Sequence, residues 1–179
     1  MGRLEGKIAL VTGAGNARGL GAATARRFAE EGAFVYLTDL DGDGAEAVAR
    51  SIRDAGGRAE AQAHDVTSEA GWDAVFAAIA AGHGRLDVLV NNAGIAVLKP
   101  LEQLTAADWE LQNKVNLDSV FFGTQRAVAM MRKLGQGGSV INLSSIGGLV
   151  GVPACAAYGA AKGGVRIFSK VVAMECAAQ

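Results

Sequence analysis

Short, nearly continuous apolar runs alternate along this chain with longer segments whose apolar residues recur every three or four positions. The runs are Ile8-Ala-Leu-Val11, Phe34-Val-Tyr-Leu-Thr38, Leu86-Asp-Val-Leu-Val90 and Ser139-Val-Ile-Asn-Leu143, with a weaker one over Arg58 to Ala63. Each has strand length, and strands apolar on both faces lie buried inside a layered sheet. Between them the spacing predicts helices over Leu20 to Glu31, Ala45 to Ala55 and Ser68 to about Ala81, with Ser68 as an N-cap and Gly32 and Gly56-Gly57 as stops. After Pro100 a short helix capped by Thr105 leads into a long one over about Val115 to Leu134. A last helix runs from near Ala156 to the end of the chain. Repeated β-α-β units of this kind build an α/β fold: a doubly wound parallel sheet of Rossmann type, three layers α/β/α, with right-handed crossovers. A chain of 179 residues is one such domain, 1–179.

The chemistry gathers where the strands end. The first strand feeds Thr12-Gly-Ala-Gly-Asn-Ala-Arg-Gly-Leu-Gly21, whose glycines permit a tight turn and close approach of a pyrophosphate to backbone N–H groups at a helix N-terminus. Asp39 closes the second strand, twenty residues after Gly19. A carboxylate there accepts hydrogen bonds from both adenosine ribose hydroxyls and repels a 2′-phosphate, which argues for NAD over NADP. Arg18, whose guanidinium can meet such a phosphate, argues the other way. The strand end fixes the position of Asp39 better, so it carries more weight.

Further along, Tyr158 and Lys162 stand four residues apart on the last helix, with Ser145 thirteen positions upstream of the tyrosine at the end of the fifth strand. Side chains at i and i+4 share a helix face, and an ammonium held beside the ring favours the phenolate. Tyr158 can then act as general acid or base on an alcohol or carbonyl oxygen, and Ser145 can hydrogen-bond that oxygen. Taken alone, the pair reads as readily as a packed tyrosine beside a snorkelling lysine. The glycine loop and Asp39 upstream change that balance.

These separated motifs resemble, in order and over the whole chain from Lys7 to the last helix, the classical-type NAD(P)-dependent branch of the short-chain dehydrogenase/reductase (SDR) family. The glycine loop is similar to the family's TGxxxGxG, with Thr12, Gly13, Gly19 and Gly21 matching and two extra residues in the loop. The resemblance implies that Gly13, Arg18, Gly19, Leu20 and Gly21 line the cofactor and that Asp65-Val66 meets the adenine. It implies that Asn92, Ala93 and Gly94, from an Asn-Asn-Ala-Gly motif beginning at Asn91, stabilise the sheet and line the adenosine ribose side. Asn116, Ser145, Tyr158 and Lys162 match its catalytic tetrad, with Tyr158 and Lys162 also counted as cofactor contacts and Asn116 as the anchor of a relay water. The implied reaction is hydride transfer between NAD(H) and a secondary alcohol or ketone. Alternatives are a 3-oxoacyl thioester reductase using NADPH and a truncated, catalytically weak dinucleotide-binding module. The three-residue gap between Tyr158 and Lys162 is shorter than in enoyl reductases. The small apolar stretch Gly147 to Ala154 looks like loops of relatives that oxidise secondary or cyclic alcohols, hydroxysteroids among them. The family's sheet has seven strands and five are legible here, so the resemblance implies that the C-terminal strands and substrate lid lie outside the chain. The fifth strand then has an open apolar edge at Val140, Ile141 and Leu143.

Composition adds exclusions. A net charge of −1 offers no nucleic-acid surface. Cys155 and Cys176 have no metal-ligand spacing, and His64 and His83 have no partner cluster, so no metal is expected. A polar N-terminus and the lack of a membrane-length apolar run point to a cytoplasmic protein with no membrane partner. The resemblance further implies a homo-oligomer, formed through the long helix and the Tyr158 helix.

Overall fold

The computed structural model describes residues 2–135 and 137–177. Five strands, β1 (Ile8–Thr12), β2 (Phe34–Asp39), β3 (Arg58–Ala63), β4 (Val88–Asn91) and β5 (Ser139–Asn142), form one sheet in the order β3-β2-β1-β4-β5. All four pairings are parallel. The helices are α1 (Leu20–Glu30), α2 (Gly42–Asp54), α3 (Glu69–His83), α4 (Ala106–Asn113), α5 (Ser119–Leu134) and α6 (Ala156–Cys176). The final residues expected in the last helix, Ala178 and Gln179, lie outside the described residues.

Both faces of the sheet are covered, as the continuous apolar strands require. Along β1, Ala9 and Val11 join a core with Val35, Leu37, Ala22, Ala25, Val48 and Ile52. Ile8 and Leu10 point the other way, into a core with Trp72, Val75, Ile79, Leu89 and Met131. The helices on this second face approach closely. A β-carbon on Gly123 of α5 would lie 2.5 Å from the Trp72 ring.

Local capping sets the helix limits. Ser68 and Thr105 cap α3 and α4 as expected, Thr105 in a reciprocal capping box with Asp108. Gly32 ends the α1 turn at φ 92°. Two expectations are corrected. Helix α2 opens at Gly42 rather than Ala45, because the Asp41 side chain accepts from the Gly44 N–H and outweighs two poor helix formers. The long helix expected from Val115 is also interrupted. A π-helical stretch over Lys114–Asp118 joins α4 to α5, and Asn116 lies inside it.

Strand order reverses between β1 and β4, which opens a crevice at the carboxyl ends of those strands. Among the described residues β5 pairs on one side only, with β4. Beside its outer edge a groove of about 630 Å³ runs between α5 and α6, lined by Thr124, Met131, Val140, Asn142, Ser169 and Val172 among others. Among the described residues no helix is long and apolar enough to cross a membrane, and no three His, Cys, Asp or Glu side chains gather as a metal site.

Candidate active site

The crevice is held together by Thr12. This buried side chain accepts hydrogen bonds from the backbone N–H groups of Asn92 and Ala93, both at 3.1 Å. In return, Asn92 Nδ2 donates to the carbonyls of Thr12 and Gly13 at 2.8 and 2.9 Å. The glycine loop and the Asn-Asn-Ala-Gly loop are therefore one unit. Gly13, at φ 65°, and Gly21 sit where a β-carbon would come within 2.7 Å of Ala93 and 2.4 Å of the Gly13 carbonyl respectively. Helix α1 begins at this junction after Gly19, with no side-chain cap, whereas α2, α3 and α4 are capped by Asp41, Ser68 and Thr105. Among the described residues no side chain caps its first turn, a fit for the pyrophosphate of a dinucleotide.

Asp39 stands beside this loop, where Oδ2 accepts from the Gly15 N–H at 2.7 Å and Oδ1 from the Asp41 N–H at 3.0 Å. Each carboxylate oxygen retains a lone pair for a further donor. Arg18 and Leu20 are exposed on the loop surface. Asp65 is exposed, with Oδ1 bonded by the N–H and hydroxyl of Thr67, which hold its carboxyl below the usual range. Val66 is buried, and its carbonyl accepts from Trp72 Nε1 at 2.9 Å.

Across the crevice, the loop after β5 lies backbone against backbone on α6. A β-carbon on Gly148 would sit 2.6 Å from the Lys162 carbonyl carbon, and one on Gly159 would sit 2.8 Å from the Gly147 carbonyl oxygen. The Ser144 hydroxyl clamps this contact by donating to the Lys162 carbonyl at 2.8 Å. Ser145 points elsewhere, as strand alternation expects. Its Oγ accepts from the Gly147 N–H at 3.2 Å and keeps its own proton free to donate. Ser145 and Tyr158 flank one spot, since a β-carbon on Gly147 would stand 3.7 Å from Ser145 Oγ and 3.6 Å from the tyrosine ring.

Lys162 is buried, and Nζ donates to the Leu143 carbonyl at 2.8 Å, which uses one of its three donors. Burial pushes its pKa below the ordinary lysine value, so the ammonium gains from any anionic or hydroxyl oxygen nearby. Gly94 links it to Asn116: its β-carbon position is 2.8 Å from Asn116 Oδ1 and 3.5 Å from Lys162 Nζ. The Asn116 amide accepts from the Ile95 N–H at 3.0 Å and donates to the Ile95 carbonyl at 2.9 Å. The sequence reading passed over Gln112, one helical turn earlier. Its only signal is a long amide four residues before Asn116. Two cavities neighbour these groups: the groove beside β5, and a cleft of about 320 Å³ between the Gly147–Val152 loop and the start of α6, which Cys155 also lines.

An uncapped helix end at a topological switch point, faced across the crevice by a tyrosine one turn from a buried ammonium, places the protein among dinucleotide-linked oxidoreductases. Comparison with known proteins narrows that class. A family model described as short chain dehydrogenase matches residues 7–179. The NADP-dependent (R)-specific alcohol dehydrogenase of Lentilactobacillus kefiri is 46% identical over 98% of this chain and 68% of its own length. The cyclopentanol dehydrogenase of Comamonas sp. is 45% identical over 99% of this chain and 70% of its own. A crystal structure of a short chain dehydrogenase from Mycobacterium smegmatis superposes with a TM-score of 0.94 at 36% identity, over 99% of this chain and 74% of that one. The chain belongs to the short-chain dehydrogenase family, and with it to the NAD(P)-linked oxidoreductases that act on CH–OH groups.

Proposed function

We propose that the chain interconverts a secondary alcohol and a ketone with NAD(H), using Ser145, Tyr158 and Lys162. The observation that carries this reading is that Ser145 Oγ and the Tyr158 ring both border Gly147, with the buried Lys162 four residues further along α6. Ser145 donates its free O–H to the substrate oxygen and orients it. Tyr158 takes the proton from that oxygen in oxidation and returns it in reduction. Lys162 supplies the positive charge that favours the phenolate, and its remaining N–H donors suit ribose hydroxyls. Asn116 holds the backbone at Ile95, next to Gly94 and Lys162. When bound, the nicotinamide dinucleotide supplies the site that accepts or gives the hydride. The N-terminus of α1, with Gly13, Gly19, Leu20 and Gly21, would hold its pyrophosphate; Asn92, Ala93 and Gly94 would line it, and Asp65 with Val66 would meet the adenine.

For the adenosine ribose, Asp39 favours NAD. Its Oδ2 lies on the Gly15 N–H and its Oδ1 on the Asp41 N–H, with Asp43 following, a poor setting for a 2′-phosphate. NADP is the second reading, favoured by the exposed Arg18 guanidinium and by the cofactor in the name of the L. kefiri relative. Titrating NADH and NADPH by nicotinamide fluorescence separates the two. Tyr158→Phe should lower turnover of secondary alcohols by about a hundredfold or more while NADH still binds within a few-fold of wild type. Equal turnover by Tyr158→Phe would sink the assignment.

Two further proposals concern assembly. The open edge of β5 and its groove have room for another strand, which the resemblance supplies as the sixth of the family's sheet. Phe121 stacks with Phe168 at 6.3 Å beside the exposed Ile167, Val171 and Met174, an apolar face suited to a second copy of this chain.

A further inference from the structure

Residues 94–99 carry no strand or helix, yet every second backbone group in them is pinned. Asn116 brackets Ile95 by accepting from its N–H at 3.0 Å and donating to its carbonyl at 2.9 Å. Gln112 repeats the device two residues on. Its Oε1 accepts from the Val97 N–H at 2.9 Å, and its Nε2 donates to the Val97 carbonyl at 3.2 Å. Lys99 completes the series with its N–H on the Ala154 carbonyl at 3.0 Å and its ammonium on Asp108 at 2.7 Å. Exposure follows the same period: Gly94, Ala96 and Leu98 are exposed, while Ile95, Val97 and Lys99 are partly covered.

The geometry of the two partners explains the match. Two extended residues advance about 6.6 Å and four helical residues about 6 Å, so amides at i and i+4 of a helix reach backbone groups at j and j+2 of a strand. The directions are opposed, with the later helix residue serving the earlier strap residue. Both side chains are fully buried, where a primary amide without partners would be costly, and each closes one two-bond ring with the strap.

We infer that Gln112 is a positioning residue: it fixes the strap over residues 94–99 and through it the wall of the site around Lys162. The strap's first residue, Gly94, abuts Lys162 Nζ and Asn116, and its last, Lys99, is tied to Ala154, four residues before Tyr158. Gln112 is the only middle rung among the described residues. Loosening it frees the strap between two anchored ends, on the catalytic side of the crevice, and leaves the Asp39 and Asp65 side untouched. This rests on the cofactor reading given above.

The test uses Gln112→Met, which keeps the volume and removes both hydrogen bonds, with NADH and ADP as probes in calorimetric titrations. The expected result is NADH affinity lowered by about three- to tenfold and ADP affinity unchanged. Amide exchange at Val97 should speed up by about tenfold or more, while amides in β1 stay protected. Equal losses for NADH and ADP would make Gln112 a general stability residue and overturn the inference, as would an unchanged NADH affinity. Gln112→Glu serves if the methionine variant folds poorly. Its carboxyl, when protonated, can accept and donate as the amide does, and when ionised it can only accept. Relative to wild type at each pH, its NADH affinity should fall on raising the pH from 6 to 9, and a flat ratio would count against the strap. A wild-type chain that binds neither NADH nor ADP would instead bring down the cofactor reading and the inference with it.

Discussion

Lowering the pH from neutrality toward 5 should destabilise this protein through the side chain of His64. The imidazole is 4% exposed and stands edge-on to Trp72 at 4.6 Å. Nδ1 pairs with the Thr38 hydroxyl at 3.2 Å, and Nε2 has no partner among the described residues. Burial pushes its pKa down to about 4 from an ordinary 6.5, and the neighbouring Asp65 charge pulls it only partly back. The sign follows from comparing proton uptake. Above pH 6.5 neither folded nor unfolded chain binds this proton and there is no effect. Between 6.5 and about 4 the unfolded chain binds it and the folded one does not, so stability falls as the pH falls. Below about 4 the loss levels off.

Integrated over that window, the loss reaches about 2 kcal/mol by pH 5 and about 3 kcal/mol in full. The assay is urea unfolding at pH 7.5, 6 and 5 on the wild type and His64→Asn. The variant loses packing against Trp72 and is less stable at pH 7.5, but its side chain does not titrate there. The stability gap between the two should therefore narrow by about 2 kcal/mol between pH 7.5 and 5, because every other titrating group is common to both. A gap that stays constant across the three pH values would refute a neutral, buried His64. This residue adjoins the candidate cofactor side, since the His64 backbone N–H donates to the Asp39 backbone carbonyl at 2.7 Å and Asp65 follows it directly.

Thr12→Val removes the acceptor of two backbone N–H groups, those of Asn92 and Ala93, at nearly constant volume. It should cost about 3 kcal/mol in urea unfolding, with Thr12→Ser close to wild type. Light scattering on the purified chain should return a dimer or larger assembly if the Phe121, Ile167 and Met174 face joins two copies, and Ile167→Glu should shift it toward monomer. A monomeric wild type would rule that face out.

What the sequence made legible shares a physical origin. The apolar strands, the glycine turn after β1, Asp39 at a strand end and the i, i+4 spacing of Tyr158 and Lys162 on α6 are all set by local backbone geometry, where residue type and short offsets carry the information. Helix limits were legible where a cap is strong and local, as at Ser68 and Thr105, and missed at Gly42, where Asp41 overrides two glycines. The π-helical stretch had no signal of its own. Neither glycine nor proline falls within Lys114–Asp118, and the widened turn is defined by where Asn116 sits against Ile95, twenty-one residues away.

The two residues with the most to add, His64 and Gln112, were invisible for the same reason. Each looks polar and unplaced in the sequence, and each is buried by neighbouring elements that local pattern does not reveal: His64 under Trp72 of α3 and against Thr38 of β2, Gln112 under an irregular strap fifteen residues before it. A buried polar side chain must find partners, so position alone does not decide its role; the partners do. For Asn116 those partners are a backbone unit at the site's edge, and its tetrad position is legible from family likeness alone. Gln112 makes the same bonds one turn away with no motif to mark it. The bonds by which Asn116 holds Ile95 are the bonds by which Gln112 holds Val97, so whatever positioning the first provides, the second extends.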